Sequence, residues 1–120
     1  MNQAKTVLVV DDEDEIRGFL RLALEDKGYS VETARNGREA LDKVRQDPPD
    51  AILLDLMMPT MNGWSFLATQ RTLSAKYRAP VLAMSAMGGA YMARELGARG
   101  FLAKPLDLDV LYRRLHTLLA

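Results

Sequence analysis

Apolar and polar residues are grouped along this chain in blocks that predict alternating strands and helices. The clearest block is Ala51–Asp55, where four consecutive apolar residues end in a carboxylate. An apolar run without alternation is typical of a parallel strand that helices cover on both faces. We expect four further strands: Lys5–Val10, the short Ser30–Ala34, Pro80–Met84 and Gly100–Ala103.

Apolar residues between these segments recur at helical spacing. The first helix is predicted from about Glu13 to Lys27 and ends at Gly28, a residue suited to the left-handed cap. Its expected buried face is formed by Ile16, Phe19, Leu20 and Ala23. The other predicted helices run from Asn36-Gly37 to a stop before Pro48-Pro49, from Gly63 to about Leu73, from about Ala90 to Leu96, and from about Asp107 to the last residues.

Strand and helix alternate five times with short connections, a pattern typical of an α/β fold with a doubly wound parallel sheet. We therefore predict a five-stranded, flavodoxin-like sheet in the order 2-1-3-4-5, with helices on both faces. The chain has 120 residues, of which 48% are hydrophobic, and this is enough for one ordinary core. Residues 1–120 are therefore expected to form a single domain.

Composition excludes several classes of function. Sixteen basic and sixteen acidic residues cancel, and the chain has no cysteine. Balanced charge argues against direct binding of nucleic acid or of an anionic membrane. The lack of cysteine excludes disulfides, thiolate metal sites and cysteine nucleophiles. No apolar stretch approaches membrane-spanning length, so we expect a cytoplasmic protein without a membrane partner.

Polar residues close four of the five predicted strands. They are Asp11-Asp12 on the first strand, Asp55 on the third, Ser85 on the fourth and Lys104 on the fifth. In the predicted strand order the first and third strands are neighbours, and a crevice opens at their carboxyl ends. Two carboxylates about 4 Å apart repel by roughly 4 kcal/mol at an effective dielectric of about 20. Three clustered aspartates therefore need a cation, for which Mg²⁺ is the most suitable hard ion, and Lys104 adds a further positive charge.

Each of these residues also has an ordinary structural explanation. Adjacent strand residues point to opposite faces, so Asp11 and Asp12 share one site only if the backbone turns there. Ser85 alone is explained as a helix cap, and Lys104 alone as a solvated loop residue. His116, the single histidine, has no partner in the sequence and is expected at the surface. The joint occurrence of acids, a hydroxyl and a lysine on successive strand ends is what predicts a functional site.

Several motifs, in their order and spacing, resemble the receiver domains of two-component response regulators, the CheY-like family. The resemblance covers the chain from Lys5 to Leu118. The motifs that carry it are Val7–Glu13, Leu53–Pro59 with Asn62-Gly63, Ser85-Ala86 and Gly97–Pro105.

The resemblance implies that Asp55 is the phosphoacceptor. Its phosphoryl group would come from a phosphohistidine of a sensor histidine kinase or of a histidine phosphotransfer protein, in a Mg²⁺-dependent reaction. By the same resemblance Asp12, Asp55 and the backbone carbonyl of Met57 coordinate the ion, and Asp11 helps to hold it through water.

The resemblance also implies the roles of residues on the last two strands. Lys104 would pair with the phosphoryl oxygens, and Ser85 would move to hydrogen-bond the aspartyl phosphate. Phe101 matches the aromatic residue whose rotamer follows that movement, and the bond before Pro105 should be cis. The output is then a changed surface, read by an unknown downstream protein or output domain, and the chain is a regulator and not an enzyme.

The chain departs from the family pattern after Ser85. The segment up to Lys104 is a few residues short and begins with Gly88-Gly89. We expect a fourth helix of about two turns that is short or mobile, and a monomer or weak dimer that does not pair through the fourth and fifth helices.

Two methionines stand where, by resemblance, residues line the approach of the hydrolytic water. The side chains of Met57 and Met87 offer that water no hydrogen bond, so we predict slow self-dephosphorylation. Asn62 replaces a frequent aspartate at a turn, which is a mild change.

Three alternatives remain for a fold of this kind. A receiver-like module that acts by docking alone would not need the acidic set, the serine and the lysine, all of which are present here. A Mg²⁺-dependent phosphatase with an aspartyl nucleophile carries a second aspartate two residues later, where this chain has Met57. A dinucleotide-binding domain carries a glycine fingerprint after its first strand, where this chain has Asp12-Glu13-Asp14.

Overall fold

The computed structural model describes residues 4–120, so residues 1–3 of the expected 1–120 domain lie outside the described residues. Its core is one parallel five-stranded sheet in the order β2-β1-β3-β4-β5, which confirms the predicted fold class. The strands are β1 Thr6–Val10, β2 Ser30–Ala34, β3 Ala51–Asp55, β4 Val81–Ser85 and β5 Gly100–Ala103.

Five helices connect and cover these strands. They are α1 Asp14–Asp26, α2 Gly37–Gln46, α3 Gly63–Gln70, α4 Ala90–Glu95 and α5 Leu108–Leu119. The fourth helix has only six residues, as the shortened segment predicts. None of the helices in the described part of the chain is both long and apolar enough to cross a bilayer.

Helix α3 ends three residues before the predicted Leu73. The side-chain amide of Gln70 is buried and bonds both the N–H and the carbonyl of Ala79, at 3.1 and 3.2 Å. These bonds hold the end of the helix against the chain that returns to β4. The segment between them contains a 3₁₀ turn at Ala75–Tyr77, which the apolar pattern did not predict.

The sheet separates two apolar layers. Alternate residues of each strand point to opposite faces, so Val7 and Val9 contact the layer under α1 and α5. Leu8 and Val10 contact the layer under α2, α3 and α4. All four residues are fully buried, which is why these strands have apolar residues at every position.

The predicted buried face of α1 is wrong in one residue. The face that contacts the sheet is formed by Leu20 and Leu24, with Ile16 partly buried, whereas Phe19 is 56% exposed. Successive helix residues are about 100° apart, so Phe19 lies to one side of a stripe that passes through positions 16, 20 and 24. An exposed phenylalanine therefore remains on the surface of α1.

The loop from β3 to α3 is packed tightly against its neighbours. An ideal Cβ on Gly63 would lie 2.5 Å from the carbonyl oxygen of Asp55, and one on Gly37 would lie 2.5 Å from that of Met61. The N–H of Gly37 donates to the same Met61 oxygen at 2.9 Å. Thr60 and Met61 have positive φ angles of 44° and 55°, so this loop adopts a backbone that L residues rarely adopt.

We predict that Gly63→Ala lowers the free energy of unfolding by about 1–3 kcal/mol, the usual cost of forcing extra atoms into a packed interior. The added methyl group would meet the backbone at the end of β3. Gly18→Ala is the matched control, because no atom lies within 4 Å of its ideal Cβ in the middle of α1. It should raise the free energy by up to about 1 kcal/mol through helix propensity. Urea denaturation measures both, and equal effects would contradict the tight packing of Gly63.

Candidate functional site

The polar residues that close the strands converge at one edge of the sheet, as predicted. Asp55 is the last residue of β3 and Ser85 the last of β4, and both are buried. One carboxylate oxygen each from Asp11, Asp12 and Asp55 lie within 4.8 Å of one another. Strand β1 ends at Val10 and the chain bends at Asp12, so the adjacent Asp11 and Asp12 can both reach this site.

Lys104 connects this cluster to the last strand. Its Nζ lies 3.1 Å from Oδ2 of Asp11 and 3.4 Å from Oδ2 of Asp55. The backbone N–H of Lys104 donates to the carbonyl of Ser85 at 3.0 Å, which ties the end of β5 to the end of β4. The peptide bond between Lys104 and Pro105 is cis, as the resemblance implies.

Burial and charge act against each other in this site. Burial raises the pKa of Asp55, the N–H of Met57 and the Lys104 ammonium lower it, and the Asp11 carboxylate raises it, with a net upward shift. Burial alone would lower the pKa of Lys104, but Asp11 and Asp55 together hold it above its ordinary value. Lys104 therefore remains a cation and is bound by two carboxylates.

The described site contains three carboxylates and one ammonium group, so it is short of positive charge. Three carboxylate oxygens this close together favour a hard cation with oxygen ligands. Asp11 already accepts bonds on both oxygens, from the N–H of Glu13 at 2.9 Å and from Lys104. Within residues 4–120, Asp12 accepts no hydrogen bond from the protein, so its carboxylate is the one most available to an ion.

The remaining predicted residues lie around this cluster. Ser85 Oγ accepts the N–H of Met87 at 3.0 Å, and Asp55 Oδ1 accepts the N–H of Met57 at 3.1 Å. The side chains of Met57 and Met87 are 52% and 78% exposed. Phe101 is partly buried against the layer under α2, α3 and α4. The Met57 carbonyl as a ligand and the Phe101 rotamer as a switch stay predictions.

Sequence reasoning missed three features near the site. Arg17 donates to the carbonyl of Asp11 at 2.8 Å and pairs with Asp14. Its spacing of three residues from Asp14 signals the ion pair but not the bond to the carbonyl. The ring of Trp64 on α3 lies against Gly89, whose ideal Cβ would be 2.7 Å from it.

The third missed feature is an apolar groove beside the site. It has a volume of about 210 Å³ and is lined by Ile16, Phe19, Leu20, Lys104, Pro105 and Leu106. Lys104 belongs both to this groove and to the acidic cluster. The groove was hidden because Phe19 was placed in the core and because no sequence pattern shows that the segment after β5 lies beside α1.

The doubly wound sheet, with an acidic cluster and a lysine at its carboxyl edge, defines an α/β domain with a candidate metal site. Residues 7–116 match the family model of the response regulator receiver domain. The chain belongs to this family. It is therefore a phosphoacceptor domain of two-component signalling systems.

Curated relatives and solved structures agree with this assignment. Response regulator MprA of Mycolicibacterium vanbaalenii is 39% identical over 116 residues, which cover 94% of this chain and 49% of that protein. MprA of Mycobacterium tuberculosis is 38% identical, with coverage of 94% and 50%. The chain thus spans about half the length of the curated relatives it matches.

Two solved structures show the same fold. Chemotaxis response regulator CheY4 of Vibrio cholerae has a TM-score of 0.86 and 35% identity, covering 98% of this chain and 99% of that chain. The signal receiver domain of a signal transduction histidine kinase from Syntrophus aciditrophicus has a TM-score of 0.89 and 30% identity, covering 97% and 90%.

We predict that Asp55→Asn makes the metal-free protein more stable at pH 7. Because the folded pKa of Asp55 is raised, its ionised form favours the unfolded chain, and this penalty is complete above the folded pKa. The penalty disappears as the pH falls to about 4, the ordinary range of an aspartate. Urea denaturation in EDTA at several pH values should therefore show a gain that shrinks on acidification.

The control for this prediction is Asp42→Asn, a change of the same charge on the exposed side of α2. It should not reproduce the pH-dependent gain. A destabilised Asp55→Asn protein, or a gain independent of pH, would contradict the electrostatic explanation.

Proposed function

We propose that Asp55 is the residue that accepts the phosphoryl group. A carboxylate oxygen of Asp55 attacks the phosphorus of a phosphohistidine, the P–N bond breaks, and the imidazole leaves with the bonding electron pair. The observation that carries this proposal is the position of Asp55 in the cluster, within 4.8 Å of two other carboxylates and in contact with Lys104. Phosphoryl transfer needs mainly positioning and neutralisation of oxygen charge, which such a site supplies.

We propose Mg²⁺ as the ion that this cluster holds. Asp12, Asp55 and the Met57 carbonyl would be direct ligands, and Asp11 would act through water. The two hydrogen bonds already made by Asp11 support its indirect role. When bound, the ion supplies positive charge to the equatorial oxygens of the transferred group.

Lys104 and Ser85 complete the proposed machinery. The Lys104 ammonium already lies 3.4 Å from Asp55, so it can pair with an oxygen of the phosphoryl group once that group is attached. Ser85 Oγ accepts a bond from Met87, and its hydroxyl hydrogen is still available to donate to the phosphoryl group. Movement of Ser85 toward that group would be followed by Phe101, which contacts the α4 side of the sheet.

The reaction leaves a phosphoryl group on Asp55, and the output of the domain is a changed conformation. We propose that residues 1–120 form one regulatory domain of the cytoplasm that works as a monomer or weak dimer on a downstream protein or output domain, and that the domain is not an enzyme. Slow self-dephosphorylation follows from the apolar side chains of Met57 and Met87, which lie next to the acceptor and to Ser85 and give water no hydrogen bond.

We predict that incubation with Mg²⁺ and acetyl phosphate adds a single phosphoryl group, seen by intact-mass measurement. The adduct should require the metal and should be absent from Asp55→Asn, while Asp42→Asn should be modified like the original chain. A modified Asp55→Asn protein would place the acceptor elsewhere. No adduct at all would favour a docking module, and sustained phosphate release from unrelated esters would favour a phosphatase.

The apolar groove provides a surface on which the phosphodonor can dock. Its occupant would be a protein that carries the phosphohistidine, because Lys104 lines the groove and also touches Asp55. A donor protein packed on Phe19 and Leu106 would therefore present its histidine next to the acceptor. Apolar side chains that lie half exposed beside a reactive centre are suitable contacts for such a partner.

We predict that Phe19→Ala slows phosphoryl transfer from a phosphohistidine protein about tenfold, equivalent to about 1.4 kcal/mol of lost binding. Transfer from acetyl phosphate should be unchanged, because a small donor does not use the groove. Leu22→Ala is the matched control, since Leu22 is 70% exposed on the same helix but does not line the groove. Rapid-quench kinetics with both donors measure the rates, and an equal loss with acetyl phosphate would contradict docking.

A further inference from the structure

A second cavity lies at the opposite end of the sheet from the acidic cluster. It has a volume of about 470 Å³ and is formed where α3 and α4 end and where β4 and β5 begin. This volume lies in the range of about 300–1,000 Å³ that is usual for small-molecule sites. Nothing in the proposed phosphoryl transfer uses this region.

Three arginines line the cavity, and no aspartate or glutamate does. They are Arg71, Arg78 and Arg99, which come from the end of α3, the segment before β4 and the segment before β5. Guanidinium groups bring planar, forked donors and permanent charge to such a site. The chain as a whole is neutral, so this is a local concentration of positive charge.

Capping of helix ends accounts for only one of these arginines. Arg71 donates to the carbonyl of Glu95 at 3.1 Å, at the end of α4, and its stem lies against Gly97. For Arg78 and Arg99, the described residues provide no side-chain hydrogen bond and no carboxylate within 4 Å. Both residues are exposed, so their guanidinium groups are open to solvent and to a ligand.

The floor of the cavity is held in place. Pro80 and Leu96 are half-buried and contribute some apolar surface to it. The buried amide of Gln70 bonds both backbone groups of Ala79, which fixes the segment that carries Arg78. A rigid floor reduces the entropy that a ligand must overcome on binding.

We propose that this cavity is a binding site for a small molecule that carries linked phosphate groups. A single phosphate ester carries about −1.5 to −2 charges at pH 7. Arg71 keeps its charge while it donates to Glu95, so the three guanidinium charges match a di- or triphosphate better than a monophosphate. A nucleic acid is a poorer match, because it needs a basic track, whereas this chain carries no net charge.

A neighbouring cavity offers space for the rest of such a ligand. It has a volume of about 340 Å³ and shares Arg99 with the first cavity. Arg114 adds a fourth guanidinium group there, and Leu82 and Leu118 add apolar surface. Because Arg99 lines both cavities, its guanidinium group can contact a ligand from either side.

The test is titration calorimetry of the full chain in EDTA with ATP, inorganic tripolyphosphate, AMP and adenosine. Without Mg²⁺ the polyphosphates keep their full charge and are not drawn to the acidic cluster. We expect ATP and tripolyphosphate to bind, AMP to bind at least tenfold more weakly, and adenosine not to bind. ATP tighter than tripolyphosphate identifies an organic polyphosphate as the ligand, whereas equal affinity identifies the inorganic ion; both support the site.

The decisive variant is the triple change Arg71→Gln, Arg78→Gln and Arg99→Gln, which should weaken polyphosphate binding at least tenfold. The triple change Arg38→Gln, Arg45→Gln and Arg113→Gln alters net charge equally on exposed residues outside both cavities and should leave the affinity unchanged. Urea denaturation of both variants shows whether they are folded. The proposal would be overturned if polyphosphate did not bind at 1 mM, a concentration that corresponds to a binding free energy of about 4 kcal/mol. Equal losses of affinity in both variants would also overturn it.

Discussion

The site depends on the contact of one ammonium group with two buried carboxylates. Asp11 and Asp55 close neighbouring strands of a parallel sheet, so the fold itself forces their charges together. Like charges about 4 Å apart cost roughly 4 kcal/mol at an effective dielectric of about 20. Lys104, held at the end of β5, offsets part of this repulsion, and the remainder favours a cation at the cluster.

The loop after Asp55 shows how the protein maintains an unfavourable backbone at this point. Thr60 and Met61 are both left-handed, and each such residue costs about 1–3 kcal/mol. The loop persists because it is fixed at both sides: Gly37 donates to the Met61 carbonyl, and Asn62 caps α3 by accepting the N–H of Ser65. Asn62, which replaces a frequent aspartate of the family, therefore has a clear structural role here.

The fold and the acidic site could be predicted because their signals are local. Continuous apolar runs mark buried parallel strands, and the residue that follows each run must lie at the same edge of the sheet. The end of α3 could not be predicted, since it depends on the bonds of Gln70 to Ala79, nine residues later. Phe19 was placed on the wrong side because helical spacing alone does not fix where the buried stripe is centred.

The cavity lined by three arginines could not be predicted from the sequence either, because its residues are far apart along the chain. Arg71, Arg78 and Arg99 belong to three different segments, and only the folded sheet brings them to one cavity. No regular sequence spacing connects these arginines, and each of them alone would be expected to be a solvated surface residue. Such sites become visible only when the ends of several elements are seen together.

The contact between Trp64 and Gly89 gives the molecule an optical reporter. Trp64 is the single tryptophan of the chain, and its ring packs on the loop that follows Ser85. Indole emission depends on the polarity and packing around the ring, so any displacement of this loop changes the fluorescence without an added label. A movement of the loop that carries the two left-handed glycines would thus be readable by spectroscopy.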